Sequence, residues 1–226
     1  MAELFLVRHG QAAFGSGDYD RLTELGMQQS RWLGEYFAER GVVFDVAFCG
    51  RQRRHRETLE ALLSALPAVP PTSIIDGLDE YDFGALIAAH AGPPGVAMLS
   101  SSETSGRAFY TLLRDTLAAW AGNRLNGGVP ESWAEFGLRI GGALAQMRER
   151  AAGARRVLAV CSGGPVSRAL GVALQLPDSA TIGLNLQLRN SAFAQLYDDG
   201  EQLQLVSFNS VPHLDRADRR AAITSV

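Results

Sequence analysis

The sequence predicts a three-layer α/β sandwich: a mainly parallel central sheet with helices on both faces, and a partly helical cap inserted at about 86–128. Three observations carry that expectation. Short apolar runs at Leu4–Val7, Val42–Phe48 and Val157–Cys161 lack polar alternation, as strands covered on both faces do. Between them, apolar residues recur at helical spacing. Each run also ends abruptly in glycine and polar residues, at Arg8-His9-Gly10, Cys49-Gly50 and Ser162-Gly163-Gly164. Those are the carboxyl ends of strands, where open α/β sheets place their ligands. No repeat or linker divides the 226 residues, so 1–226 reads as one domain with the cap inside it.

After the first strand, Ala12 to Asp20 is small and polar and reads as a loop. Thr23 is a natural N-cap for a helix starting at Glu24. Leu25, Trp32, Leu33 and Phe37 form its buried stripe, and Gly41 ends it. The strand Val42–Phe48 leads into an arginine-dense turn, and Leu59, Leu62, Leu63 and Leu66 continue a helix that stops before Pro67. Ser73–Ile75 is a short strand. From Leu86 to about Gly128 the pattern weakens, apart from a helical run at Arg107–Trp120. A long amphipathic helix over Glu131–Arg150 precedes the strand Arg155–Cys161, and a helix follows near Pro165. Asn190–Tyr197 and Leu203–Phe208 flank Asp198-Asp199-Gly200, a hairpin signal. The charged tail beyond His213 is expected to fray.

Hydrophobic content of 46% and a net charge of -3 fit an ordinary globule, with no sign of a nucleic-acid or anionic-membrane partner. All 21 basic residues are arginine, which removes Schiff-base and P-loop lysine mechanisms. Two cysteines, Cys49 and Cys161, each end a strand and read as buried thiols. The start Met-Ala-Glu-Leu-Phe has no basic region and no long apolar run follows, so a cytoplasmic location is expected.

Four stretches offer chemistry. Arg8 supplies a fork of donors suited to phosphate, and His9 beside it can be a nucleophile, a proton shuttle or a ligand. Arg53-Arg54-His55-Arg56 follows the second strand, and Leu78-x-Glu80 precedes Phe83-Gly84. Ser162-Gly163-Gly164 opens a helix. If these meet at one sheet edge, two arginines, a histidine and a helix N-terminus form a pocket for a dianion.

Together they resemble the histidine phosphatase superfamily, which includes cofactor-dependent phosphoglycerate mutases. The resemblance lies in Leu6-Val7-Arg8-His9-Gly10-Gln11, Leu22-Thr23-x-x-Gly26-x-x-Gln29, Arg54-x-x-x-Thr58, Leu78-x-Glu80 with Phe83-Gly84, and Val160–Gly164. It implies that His9 accepts the phosphoryl group as phosphohistidine, while Arg8 and Arg54 neutralise the equatorial oxygens. Glu80 would protonate the leaving oxygen, and water would then release phosphate. Gln11, Thr23 and the Gly163 amide would be phosphate or substrate contacts. The substrate would be a small phosphorylated molecule, with no metal and no cofactor.

One position departs from the family. Where its last core strand is followed by a second histidine and Gly-Gly, this chain has Ser162. The serine either donates a hydrogen bond in that histidine's place or leaves the site short of one donor. No other histidine stands in evident position to replace it: His55 starts a helix, His90 lies in the insertion and His213 is near the tail. The expected function is a phosphomonoesterase, slow or specialised because of Ser162. A mutase-type phosphotransferase, or a protein that binds a phosphorylated ligand or partner without turnover, are the alternatives.

Overall fold

The computed structural model describes residues 1–13, 20–100 and 106–225, with residues 93–100 and 106 described through their backbone alone. β1 (Ala2–Arg8) enters the middle of the sheet because Leu4–Val7 offers apolar side chains to both faces, and all four are buried. α1 (Glu24–Glu39) starts at Thr23, whose Oγ1 accepts a hydrogen bond from Gly26 N at 3.0 Å. β2 (Val46–Cys49), α2 (Arg53–Leu63) and β3 (Thr72–Ile74) follow. Three helices, α3 (Phe83–Ser100), α4 (Gly106–Ala121) and α5 (Trp133–Arg150), then lead to β4 (Arg156–Cys161). α6 (Gly163–Ala173), α7 (Asp178–Gln187), β5 (Phe193–Asp198) and β6 (Leu203–Ser210) complete the order.

Among the described residues the strands form one six-stranded sheet, ordered β3-β2-β4-β1-β5-β6. The first four are parallel, and β5 and β6 add antiparallel to the β1 side. Phe5, Val7, Ala47, Leu158 and Val160 face α1 and α2, meeting Leu33, Phe37, Leu59 and Leu62. Leu4, Leu6, Phe48, Val157 and Ala159 face the other way, onto Phe136, Ile140 and Met147 of α5 and Leu170 of α6. The strand alternation therefore builds two cores, which is the three-layer arrangement expected. Cys49 and Cys161 are free and buried in different cores; burial pushes the Cys49 thiol up to about 11 and Cys161 higher still. Among the described residues no helix is long and apolar enough to cross a membrane.

Several boundaries differ from expectation. β2 begins at Val46, not Val42, because Asp45 turns aside to accept from the Arg155 and Arg156 amides at 2.8 Å. α6 begins at Gly163 rather than near Pro165, with Ser162 as its extended N-cap residue. The weak stretch after Leu86 contains α3, kinked at Gly92 (φ 60°), and α4; residues 101–105 of it lie outside the described residues. Both helices are rooted in the core: Leu86, Ile87 and Leu117 are buried, and the Trp120 ring lies 5.2 Å from Tyr81 and 5.4 Å from Phe136. α7 was not anticipated.

The tail does not fray over its described length. Leu214 and Ala222 are buried, and Gln29 Nε2 donates to Ala222 O at 2.7 Å and to Thr224 Oγ1 at 3.0 Å. Asn190 N donates to Thr224 O at 2.8 Å. Arg219 also stacks over the Trp32 ring at 4.6 Å, so the tail is held by backbone groups, two apolar side chains and one arginine while most of its other charged residues face water.

Candidate active site

The carboxyl ends of β1, β2 and β4 converge on a cavity of about 780 Å³. Arg8, His9, Arg54, Glu80 and Gly163 all line it, together with Gln52, Asn185 and Asn190. The parallel sheet makes this convergence: Arg8 pairs with Cys161 in register, and Cys49 with Val160, so the three following loops leave the sheet side by side.

His9 is buried just past β1. Its Nδ1 lies 2.7 Å from the Gly10 carbonyl oxygen, which can only accept, so Nδ1 carries the ring proton and Nε2 presents its lone pair. Burial first, then the Arg54 and Arg8 charges, holds the His9 pKa well below the usual histidine range. The ring is therefore neutral at neutral pH. Gly10 permits its placement: a Cβ there would meet Gly26 O at 2.3 Å, and the Gly10 amide donates to Thr58 Oγ1 at 3.0 Å. Thr58 is itself fixed by its own donation to Arg54 O at 2.7 Å, which ties the arginine's helix to the histidine's loop.

Arg54, at the start of α2, is almost wholly buried. Its Nε donates to His9 Nε2 at 3.3 Å, one terminal nitrogen to Asp20 Oδ1 at 2.8 Å, and the other to Gln52 Oε1 at 2.8 Å and Ser162 Oγ at 3.4 Å. Arg8 donates to the carbonyl of Leu188, just past α7. Glu80 lies in the loop before α3, partly buried, and accepts from Gly164 N and Tyr81 N, each at 3.3 Å. Burial raises its carboxyl pKa, against the opposing pull of Arg54 and the two amides. The site thus holds an unprotonated nitrogen, two guanidinium groups and a carboxyl group biased toward its acid form.

The remaining expected residues are placed differently. Ser162 is fully buried behind the lining, and its hydroxyl does not cap α6. Gln11 and Thr23 do not line the cavity; Thr23 Oγ1 donates to Gln11 Oε1 at 2.9 Å, while Gln11 N donates to Gln29 Oε1 at 2.8 Å. They brace the loop carrying His9 from outside. His55, expected to have no evident place in the site, is fully buried with its Nε2 2.7 Å from Ser162 Oγ and its ring 5.7 Å from that of His9. Gln52 and Asn185 were also missed. The register of Arg54 on α2 could have flagged Gln52, whereas α7 offered no periodic signal for Asn185.

The cavity is also lined by Tyr81, Phe83, Phe109, Tyr110, Leu113 and Leu186. Phe83 and Phe109 meet edge to face at 6.2 Å. Among the described residues lining the cavity the charged side chains are Arg8, Arg54, Glu80 and Asp82, besides His9.

Comparison with known proteins agrees with the motifs. Residues 4–92 match the histidine phosphatase superfamily (branch 1). A 2,3-bisphosphoglycerate-dependent phosphoglycerate mutase of Sinorhizobium fredii is 37% identical over 91 residues, 37% of this chain and 43% of that protein. The match therefore spans less than half the length of that curated relative. A phosphoserine phosphatase variant from Entamoeba histolytica, solved with phosphoserine, superposes with a TM-score of 0.66 at 18% identity, covering 95% of this chain and all of that one. A phosphoglycerate mutase from Bacillus anthracis superposes at 0.64 and 21% identity, covering 94% of each. Residues 4–92 are thus similar to the histidine phosphatase superfamily, branch 1, and across nearly its whole length the chain has the fold that phosphatases and phosphoglycerate mutases of known structure share.

Proposed function

We propose that this protein is a phosphomonoesterase that works through a phosphohistidine at His9 and prefers substrates with an apolar leaving group. One observation carries the reading: a neutral histidine with Nε2 unprotonated shares a cavity with two arginines and a partly buried carboxyl group. His9 Nε2 attacks phosphorus and the ester P–O bond breaks. Arg8 and Arg54 offset the charge on the equatorial oxygens, and Glu80 gives its proton to the departing oxygen. Glu80 then takes a proton from water as that water attacks the phosphohistidine, releasing phosphate and restoring both residues. Arginines supply the positive charge in this scheme. Helices α3 and α4, which contribute Phe83 and Phe109 to the lining, act as the cap.

The fold is shared with mutases, so it does not decide between the two activities. The lining does. Phosphoglycerate and its bisphosphate carry a carboxylate or second phosphate beyond the transferred group, and these need cations of their own. Beyond Arg8 and Arg54 the described lining holds no further arginine: Asp82 and the amides of Gln52, Asn185 and Asn190 stand among aromatic and aliphatic side chains, and stretches 14–19 and 101–105 contain no arginine. An apolar wall suits an aryl or hydrocarbon phosphate.

The test compares naphthyl phosphate with 3-phosphoglycerate, with and without a chelator, and traps the enzyme in acid for detection of phosphohistidine. Chelator-insensitive hydrolysis with a large kcat/KM preference for the aryl ester is expected. Phosphate exchange on 3-phosphoglycerate without net hydrolysis would favour the mutase. Binding of phosphate without any turnover would favour the non-catalytic reading.

A further inference from the structure

Behind the cavity floor lies a run of polar groups whose direction is set by chemistry. Arg54 can only donate, so Ser162 Oγ accepts from it at 3.4 Å. The serine oxygen could accept twice, so the direction is set by Asp79, whose carboxylate can only accept and faces His55 Nδ1; His55 Nε2, 2.7 Å from Ser162 Oγ, then accepts the serine proton. That leaves the ring proton on His55 Nδ1, which faces Asp79 Oδ1 at 4.0 Å and has no closer partner among the described residues. Asp79 is held there by donation from Arg51 N at 2.6 Å. The room is provided by Gly50, where a Cβ would lie 2.4 Å from His55 Nδ1 and 2.6 Å from Asp79 Oδ1. Two features indicate that the run serves the site. A serine at a helix N-cap ordinarily caps, and Ser162 does not. And a histidine buried completely in the helix start beside the cavity has, as its ring's one hydrogen-bond partner among the described residues, that serine.

We infer that His55 is a positioning residue which, through Ser162, holds the Arg54 guanidinium in register with His9, so that the imidazole missing at position 162 is supplied from α2 instead. The inference rests on the phosphatase reading for its effect on rate, though not for its effect on phosphate binding. Its consequence is that Ser162 does not mark a weakened site: the donor-only arginine is fixed from beneath by a serine and histidine together.

The experiment uses His55→Met, which keeps bulk but cannot accept the serine proton, and His55→Gln, which can. Ser162→Ala breaks the same run from its other side, and thermal melting is measured for all. Affinity for inorganic phosphate is read by calorimetry, and kcat and KM with naphthyl phosphate. A shift of roughly 1 Å in a catalytic group costs about a hundredfold, so His55→Met and Ser162→Ala should each lower kcat by one to two orders of magnitude, weaken phosphate binding and leave KM nearly unmoved. His55→Gln should recover to within about threefold of wild type, and the double variant His55→Met with Ser162→Ala should be no worse than either single one. If wild type turns over and the folded Met and Gln variants match each other in rate and affinity, the inference is overturned and the phosphatase reading stands. If wild type binds phosphate without hydrolysing anything, the phosphatase reading fails, and phosphate affinity across the same variants still decides the inference. Additive losses in the double variant would likewise overturn it.

Discussion

A single methyl group added at Gly164 separates the acid from the rest of the site. Gly164 sits in the first turn of α6, where a Cβ would lie 2.1 Å from Glu80 Oε1 and 2.4 Å from Tyr81 Cε1. Ordinary contact begins near 3.4 Å, so in Gly164→Ala the carboxyl group must retreat by roughly 1 Å or more. It cannot do so freely, since it is bound to the Gly164 and Tyr81 amides, and the Tyr81 ring is packed against Trp120 and Phe136. Overpacking of this kind costs about 1–3 kcal/mol of stability, which for a chain of this size lowers Tm by several degrees. The misplaced acid costs about a hundredfold in rate, or about 2.7 kcal/mol. That loss should appear with alkyl phosphates, whose departing oxygen needs the proton, and largely vanish with nitrophenyl phosphate, whose leaving group departs without it. The assay is kcat/KM for both esters alongside a thermal melt. Equal losses on the two esters in a folded Gly164→Ala protein would show that Glu80 is not the acid.

Four further outcomes are expected. His9→Ala should fold and bind phosphate but release no product from either ester, as measured by phosphate release; undiminished hydrolysis would remove the covalent step. In the pH profile, activity should fall as pH rises through the raised Glu80 pKa, because the acid form is then lost, and Glu80→Gln should abolish that limb. His213 is buried, with its pKa lowered to about 3, so below about 6.5 the unfolded chain binds a proton the folded one does not; stability should fall with pH from there toward 3 by at most about 1.4 kcal/mol per unit, and His213→Gln should flatten that slope in urea titrations. Ser162→His alone should lower Tm rather than raise the rate, because His55 already fills the space beside residue 162, while Ser162→His combined with His55→Ala should fold and recover activity.

The legible parts of the sequence were those where one physical constraint acts on adjacent residues. Leu4–Val7 and Val157–Cys161 read as strands because burial on both faces admits nothing polar. Thr23 read as a cap because the need for an acceptor at that position is local. His55 did not read as part of the site because its partner is Ser162, distant in the chain, and only the pairing of β2 with β4 brings the two loops together. Gln11 and Thr23 were expected to touch the substrate on their motif; the structure instead turns them to each other. α7 escaped notice because Thr181 and Ile182 are its only fully buried side chains among a mixed surface, which leaves no periodic stripe. The tail was misread because its anchors include backbone groups.

The sheet order has a consequence for how the site comes into being. β1 leads directly into His9, yet its neighbours are β4 and β5, so Val7 has no partner until Val160 and Phe193 exist and have folded back to it. Local folding cannot stabilise it, and the pairing is of the high-contact-order kind that forms slowly. Until then Leu4–Val7 is a sticky apolar segment with two open edges, a hazard for association between unfinished chains. The same delay keeps His9 away from Arg54 and Ser162, so a chain stalled before β4 carries His9 with Arg8 beside it and the rest of the site unassembled.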